Sequence, residues 1–387
     1  MITISQDALR AALNAVTRAS QKSSLAAFSL VRLDADTDGR LSLSCFNGET
    51  AARALTQVTC DETLSVCVDA LTLNAVVETL AGAIQLSVEG NSFILNSQAN
   101  RTTLRIVDES LPVIGEESIQ TLATISGTIL RSLTRVLPFI STDSARAALQ
   151  VLHLTLENET IIAQGADGFS AGCVQENVEK ILTQTSLSLP YNFARLLSSL
   201  VEDHDTVRLG TSGPNRIIFQ ITNTEHSKDL TLATVTGADN FPAAQIGNLI
   251  EQARSDTLAH LNVQQTSLMQ TIRMVQAMGT HNTFIKAVSG VVKMASAETD
   301  TGQARNLLEG TASGQDSNVW LSAVYLKRAA EGCKGEVQLK LTDGRKPVLL
   351  EAGAFTAIIM PLLVEGSKDP FPEDEALALS LPNMAMA

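Results

Sequence analysis

The segment Gly168-Phe169-Ser170-Ala171-Gly172 fits Gly-x-Ser-x-Gly, the pattern in which a strand delivers a serine hydroxyl to a sharp turn as a nucleophile. Asp203 and His226 follow in the serine–acid–histidine order of an α/β-hydrolase. That fold needs parallel strands alternating with helices, whereas the flanking residues alternate with period 2, as half-buried antiparallel strands do. The matching place in an internal repeat, Phe46-Asn47-Gly48-Glu49-Thr50, has no serine. A glycine-rich turn between antiparallel strands explains the same letters, and a serine hydrolase is kept only as a remote alternative.

Metal and thiol chemistry find little support. Cys45, Cys60, Cys67, Cys173 and Cys333 are odd in number and lack zinc-type spacing, and His153, His204, His226, His260 and His281 do not cluster. No metal and no cofactor are expected, and the thiols fit a reducing compartment.

The third candidate chemistry is phosphate binding. Arg10 and Arg18 sit roughly 100–180° from the apolar stripe Leu9, Leu13, Val16 on a helical wheel. Arg131 and Arg135 point away from Leu130, Leu133 and Leu137, Arg273 opposes Leu268, Ile272 and Val275, and Arg195 opposes Phe193, Leu196 and Leu200. Lys22, Lys327 and Arg328 extend the set. The predicted helices hold only Asp7, Glu78 and Glu331 as acids, although the chain has 41 Asp and Glu against 28 Lys and Arg. Solvated arginines on amphipathic helices are ordinary. The same register in three repeats favours a cationic wall that meets phosphates without reading sequence. A net charge of −13 excludes indiscriminate nucleic-acid binding by the whole surface. No base-reading motif is present, and aromatics are too sparse for a stacking platform.

The elements that position these residues recur three times. Ile2-Thr3-Ile4-Ser5, Thr124-Ile125-Ser126 and Leu261-Asn262-Val263 each read as a strand running into an amphipathic helix. Each unit then repeats the step, with helices expected over 71–80, 191–201 and 323–330, followed by alternating strands. The turn signals Glu89-Gly90-Asn91, Ser212-Gly213-Pro214-Asn215 and Asp343-Gly344-Arg345-Lys346 separate those strands. The expectation is an α+β chain of three tandem repeats, each with two helices packed on antiparallel sheet. Domains are placed at 1–117, 118–252 and 253–364, with boundaries near Gly115-Glu116-Glu117 and Gln252-Ala253-Arg254. An acidic, apolar C-terminal tail follows at 365–387. The 44% hydrophobic content suits an ordinary globular core, and neither a membrane span nor a signal peptide is read, so the expected location is cytoplasmic.

In this order the chain resembles the bacterial replicative sliding clamp, the β subunit of DNA polymerase III. The residues that carry the resemblance are Met1-Ile2-Thr3-Ile4 with Leu9 to Val16, Ala166-Asp167-Gly168, Asn240-Phe241-Pro242 and Ala357-Ile358-Ile359-Met360-Pro361-Leu362. The resemblance covers about residues 1–364. It implies three DNA-clamp domains per chain and a closed ring of two head-to-tail subunits, with helices lining the hole and sheets outside. Such a ring encircles duplex DNA and does no chemistry. It acts as a processivity factor that tethers DNA polymerase, and its further implied partners are a clamp loader and other proteins bearing a clamp-binding motif. The DNA-facing residues would be Arg10, Arg18, Lys22, Arg131, Arg135, Arg195, Arg273, Lys327 and Arg328.

The resemblance also implies an apolar pocket for partner peptides. By position it uses Leu149, Ala166, Gly168, Phe169, Ala171, Pro242, Ile246, Ile358, Met360, Pro361 and Leu362. Two departures stand out. Phe169-Ser170 occupies the place of the family's frequent basic pair, and Leu362-Leu363-Val364 continues into a tail where the family usually ends. These changes bear on which peptides bind. Within the tail, Ala376-Leu377-Ala378-Leu379-Ser380-Leu381 resembles a clamp-binding peptide and would suit the pocket of its own or a neighbouring ring. An accessory or mobile-element clamp-fold scaffold is the alternative function.

Overall fold

The computed structural model describes residues 2–20, 25–98, 100–109, 111, 118–238, 240–363 and 369–371. Lys22, the Gly115-Glu116-Glu117 boundary, the 376–381 segment and all of the tail except Asp369, Pro370 and Phe371 lie outside the described residues.

Among these residues the α-helices are α1 Gln6–Thr17, α2 Ala70–Thr79, α3 Gly127–Leu133, α4 Tyr191–Leu200, α5 Ala243–Ser255, α6 Gln265–Ala277 and α7 Ala323–Gly332. All but α5 begin at the residue after a strand ends: Ile2–Ser5, Leu64–Asp69, Gln120–Ser126, Thr185–Pro190, Ala259–Gln264 and Ser317–Ser322. In three cases the last strand residue turns the chain by capping the helix. Ser5 accepts from the Ala8 N–H at 3.3 Å, Asp69 from Thr72 at 2.8 Å and Ser126 from Ile129 at 3.3 Å. Each such cap contributes about 1 kcal/mol. A second bond recurs in every repeat. The first N–H of α1, α3 and α6 donates to Gly82 (2.8 Å), Asp205 (2.7 Å) and Gly335 (2.9 Å) respectively. The sequence repeat is therefore a repeat of hydrogen-bonded detail.

The middle repeat departs from its expected helix. The stripe Leu130, Leu133, Leu137 assumed α-helical winding, but α3 stops at Leu133 and a 3₁₀ turn runs over Thr134–Phe139 with Pro138 inside it. Three residues per turn bring Leu133, Val136 and Phe139 inward, and Leu137 is only half-buried. Helix α5 was not anticipated, and the boundary at 252 falls within it. It buries Ile246, Ile250 and Ala253 at helical spacing.

The chain forms two compact units. The first comprises Met1–Thr134, Val151–Ile161 and Glu176–Asp239. It contains a five-stranded sheet in the order Thr59–Cys60, Ile2–Ser5, Ala83–Glu89, Ser92–Ser97, Asn100–Arg105. Its second sheet has eight strands, ordered Gln120–Ser126, Thr206–Ser212, Arg216–Asn223, Lys228–Val235, Thr50–Gln57, Arg40–Phe46, Leu30–Ala35, Leu64–Asp69. Asp229 faces Leu55 and Thr234 faces Thr50, so one antiparallel sheet crosses from the first repeat into the second. Helices α1 and α2 pack on each other, and α1 also packs on strand Thr50–Gln57. Leu9, Leu13, Leu33, Leu41, Leu43 and Leu73 fill that core.

The second unit comprises Arg135–Gln150, Ile162–Gln175 and Asn240–Ala387. In its main sheet the successive neighbours include Thr160–Ala166, Ser170–Asn177, Phe355–Ile359, Val348–Ala352, Glu336–Leu341, Ala259–Gln264 and Gly310–Gly314. Ser170 faces Ile359 and Val174 faces Phe355, joining middle and third repeats as in the first unit. A four-stranded sheet follows the order Arg305–Leu308, Val291–Ser296, Asn282–Val288, Ser317–Ser322. The expected turns appear, with Gly90 (φ +58°) and Gly213 (φ +67°) in the left-handed region that the hairpins require. The architecture is α+β, with helices laid against antiparallel sheets.

Candidate peptide pocket and cationic helix faces

The turn before strand Ser170–Asn177 is built by Asp167. Its Oδ1 accepts from the N–H groups of Phe169 (2.9 Å) and Ser170 (2.8 Å), while Gly168 takes φ +95°. The turn presents Phe169, half exposed, beside the end of strand Phe355–Ile359, where the Met360 N–H donates to the Phe169 carbonyl at 2.9 Å. Ala171 faces Ile358 across the pair, and both are buried. The Ser141 N–H is shared by the carbonyls of Leu149 and Ala166, each at 3.1 Å, which draws Leu149 to this edge. Gln164, on strand Thr160–Ala166, reaches the Ala243 carbonyl at 3.4 Å and ties the start of α5, which Pro242 precedes, to that strand. Leu362 donates to the Trp320 carbonyl at 2.8 Å. The residues named for the pocket all lie in the second unit.

Sequence reasoning missed the polar frame of this edge. Phe169 stacks on Tyr325 of α7, with centroids 6.1 Å apart and planes 16° from parallel. The Arg146 guanidinium lies 5.2 Å from the Phe169 ring centroid, and that of Arg328 lies 5.2 Å from Tyr325. Asp167 joins the two arginines, pairing with Arg328 through its carboxylate and accepting from Arg146 on its carbonyl. Burial, and then the Asp167 charge, push the Tyr325 phenol above its ordinary range, so it remains a donor. The spacing of Arg146 and Tyr325 gave no sign of this, because three separate chain segments converge here.

Ser170 is not a nucleophile on an elbow. It opens an antiparallel strand rather than a helix, and its hydroxyl lies 3.2 Å from Asp167 Oδ1 and 3.3 Å from Arg328 Nη1. The hydrolase reading is set aside on that geometry.

The cationic residues divide into two kinds. Arg10, Arg131, Arg195 and Arg273 are exposed on their helices, and Arg18 is exposed at the C-cap of α1. Arg10 pairs with Asp7 at 3.0 Å, Arg131 with Asp203 at 3.5 Å, and Arg18 donates to Ser199 at 3.2 Å. Arg195 lies over the Tyr191 ring at 5.6 Å. Lys327 is 3.7 Å from Glu331. Arg135 and Arg328, in contrast, are held inside the second unit. Arg135 donates to the Gly332 carbonyl and lies 4.8 Å from the Phe355 centroid, and Arg328 keeps only 24% of its side chain exposed beside Asp167. Alternation on a wheel separated arginine from leucine, but it carried no information about carbonyls and carboxylates elsewhere in the chain.

No family model matches the sequence, and no curated protein matches it. Solved structures do. The β subunit from the DNA polymerase of Streptococcus pyogenes aligns over 94% of this chain and 100% of its own, with TM-score 0.85 and 17% identity. The DNA polymerase sliding clamp from Bacillus subtilis covers 94% and 99%, with TM-score 0.83 and 16% identity. The DNA polymerase III β subunit from Thermotoga maritima covers the same shares, with TM-score 0.81 and 14% identity. The fold is that of a sliding clamp.

Three further features of this clamp fold matter for its chemistry. A cavity of about 560 Å³ opens in the first unit between the alanine face of α1 and strands Thr50–Gln57 and Lys228–Val235, with Arg18, Glu202, His226 and Lys228 on its walls. Among the described residues no group of His, Cys, Asp and Glu is arranged to hold a metal. The cysteines are free, and burial pushes Cys173 up to about 11 and Cys333 up to about 12, so neither is a thiolate at neutral pH.

Helix α5 is clamped to its sheet by charge. Burial raises the Glu351 carboxyl, but hydrogen bonds from Lys340 and Arg254 outweigh it and hold the group below the usual range. The two ion pairs measure 2.5 Å to Lys340 and 2.8 Å to Arg254. The unfolded chain therefore takes up the proton first. This contribution is complete above the ordinary glutamate value of about 4.3 and is lost as pH falls through the lower folded value. Denaturation midpoints of the wild type should fall across that acid window, and those of Glu351→Gln should fall less steeply.

Proposed function

We propose that the protein is a sliding clamp. Two copies close head to tail into a ring around duplex DNA, and the ring tethers a DNA polymerase and other peptide-bearing partners without catalysing a reaction. The observation that carries this reading is the end-to-end alignment with three bacterial clamps, which leaves almost none of their length unmatched. Two edge strands support closure: Asn100–Arg105 ends the five-stranded sheet, and Arg305–Leu308 ends the four-stranded one. Pairing one copy's edge with the next removes two surfaces that would otherwise template aggregation. The exposed Arg10, Arg18, Arg131, Arg195 and Arg273, with Lys327, would face the phosphates through a screened, sequence-independent attraction that permits sliding. The pocket around Phe169 and Met360 would take an extended peptide by its apolar side chains.

The test is topological. Full-length protein assembled on nicked circular duplex at about 0.15 M salt should co-elute with the circle and be released when the circle is linearised. Equal retention on both forms would mark a surface binder, the accessory-scaffold alternative, and would overturn the ring. Replacing Arg10, Arg18, Arg131, Arg195 and Arg273 together by glutamine should flatten the salt dependence, by about 0.9 in log–log slope for each phosphate that is no longer neutralised.

A further inference from the structure

The outer face of the four-stranded sheet in the second unit carries two unlike rungs. In the first, Phe284 stands between Ala295 and Trp320 on the neighbouring strands. In the second, two residues along, Lys286 stands between Lys293 and Asn318. Two lysines directly opposite each other repel, and an apolar rung open to water is unfavourable. Both problems are relieved by the same short segment. Phe371 is buried on Phe284, Ala295 and Trp320, and its ring covers Lys293 Nζ at 5.4 Å, leaving that lysine 7% exposed. Asp369 pairs with Lys286, and its other carboxylate oxygen accepts from the Phe371 N–H at 2.8 Å, which fixes the spacing of acid and ring. Pro370 between them is buried and pre-sets the bend.

The geometry points to a peptide-docking site on this face that recognises an acidic residue two positions before an aromatic one. Its occupant is the chain's own Asp369-Pro370-Phe371. The two-rung sheet is the receptor and the C-terminal extension is the ligand. Leu362 is hydrogen-bonded to the carbonyl of Trp320 and Phe371 packs in the Trp320 cluster, so the two residues meet the sheet at the same place. This inference stands whether or not the chain forms a ring.

Trp320 is the single tryptophan of the chain and reports occupancy directly. In full-length protein, Phe371→Ala should shift its emission to the red. A synthetic peptide spanning residues 367–375 should reverse the shift saturably, and the same peptide carrying Asp369→Lys should bind at least about tenfold more weakly. Adding Lys286→Glu to the Phe371→Ala chain should invert that preference. Asp369→Lys in the intact chain keeps the Phe371 ring but removes the pair to Lys286 and the acceptor of the Phe371 N–H, and because Asp369 is exposed it leaves the sheet intact. It should give a smaller shift that Lys286→Glu restores. Unchanged Trp320 emission in Phe371→Ala, or equal affinity for the two peptides, would overturn the site.

Discussion

Met360→Glu should weaken binding of a peptide with leucine and phenylalanine anchors by about 30-fold or more, measured by fluorescence anisotropy. The expectation follows from the place of the side chain. Met360 follows the buried strand Phe355–Ile359, its N–H is already engaged by Phe169, and 41% of its side chain is exposed. A substitution there changes the wall of the proposed pocket without moving the strand. Losing a central apolar anchor costs about 2 kcal/mol or more, and a carboxylate that must be desolvated on binding adds to the loss. Leu363→Glu is the internal control, because that side chain is 80% exposed and should leave affinity unchanged. If Met360→Glu also binds normally, the peptide site lies elsewhere.

Lys228→Met should destabilise the first unit by about 3–5 kcal/mol, read as a lower urea midpoint. Asp205 is 2% exposed, and its carboxylate meets Lys228 Nζ at 2.5 Å, Asn223 Nδ2 at 3.2 Å and the Glu202 N–H at 2.8 Å. The lysine also donates to the Leu200 carbonyl at 2.6 Å, closing the end of α4. Removing it leaves a carboxylate away from water with no counter-ion. The pair itself need not be stabilising relative to neutral residues, so Lys228→Met combined with Asp205→Asn should recover most of the loss. A double variant as unstable as the single one would show that the Leu200 bond, and not the stranded charge, dominates.

Much of the fold was legible because two signals agreed. Period-2 runs ended at glycine turns, and each apolar helical stripe began directly after a strand, as at Leu9 and Leu268. The misses have physical causes. Leu130, Leu133 and Leu137 keep helical spacing while Pro138 forces a tighter winding over Thr134–Phe139, which a wheel does not register. Helix α5 has no strand before it and carries Gly247 mid-run, so it resembled a boundary. The residues expected for the apolar pocket come by position from the family resemblance, whereas Arg146 and Tyr325 reach Phe169 through turns and packing that no local pattern encodes. Arg135 and Arg328 have the look of solvated helix residues, but their guanidinium groups end on a carbonyl and a carboxylate within the fold.

The junctions without linkers carry a mechanical consequence. Where Ser5 ends a strand and Gln6 opens α1, no loop is available to absorb a change of length. One residue inserted there would turn every side chain of the helix by about 100° about its axis. Leu9 would move to the exposed place of Arg10, and Ala8 would take the buried place of Leu9. The length of each of these six strands is therefore specified as strictly as its hydrophobicity, and insertions should be tolerated only at hairpin tips such as Gly90, Gly213 and Gly344, remote from the helices.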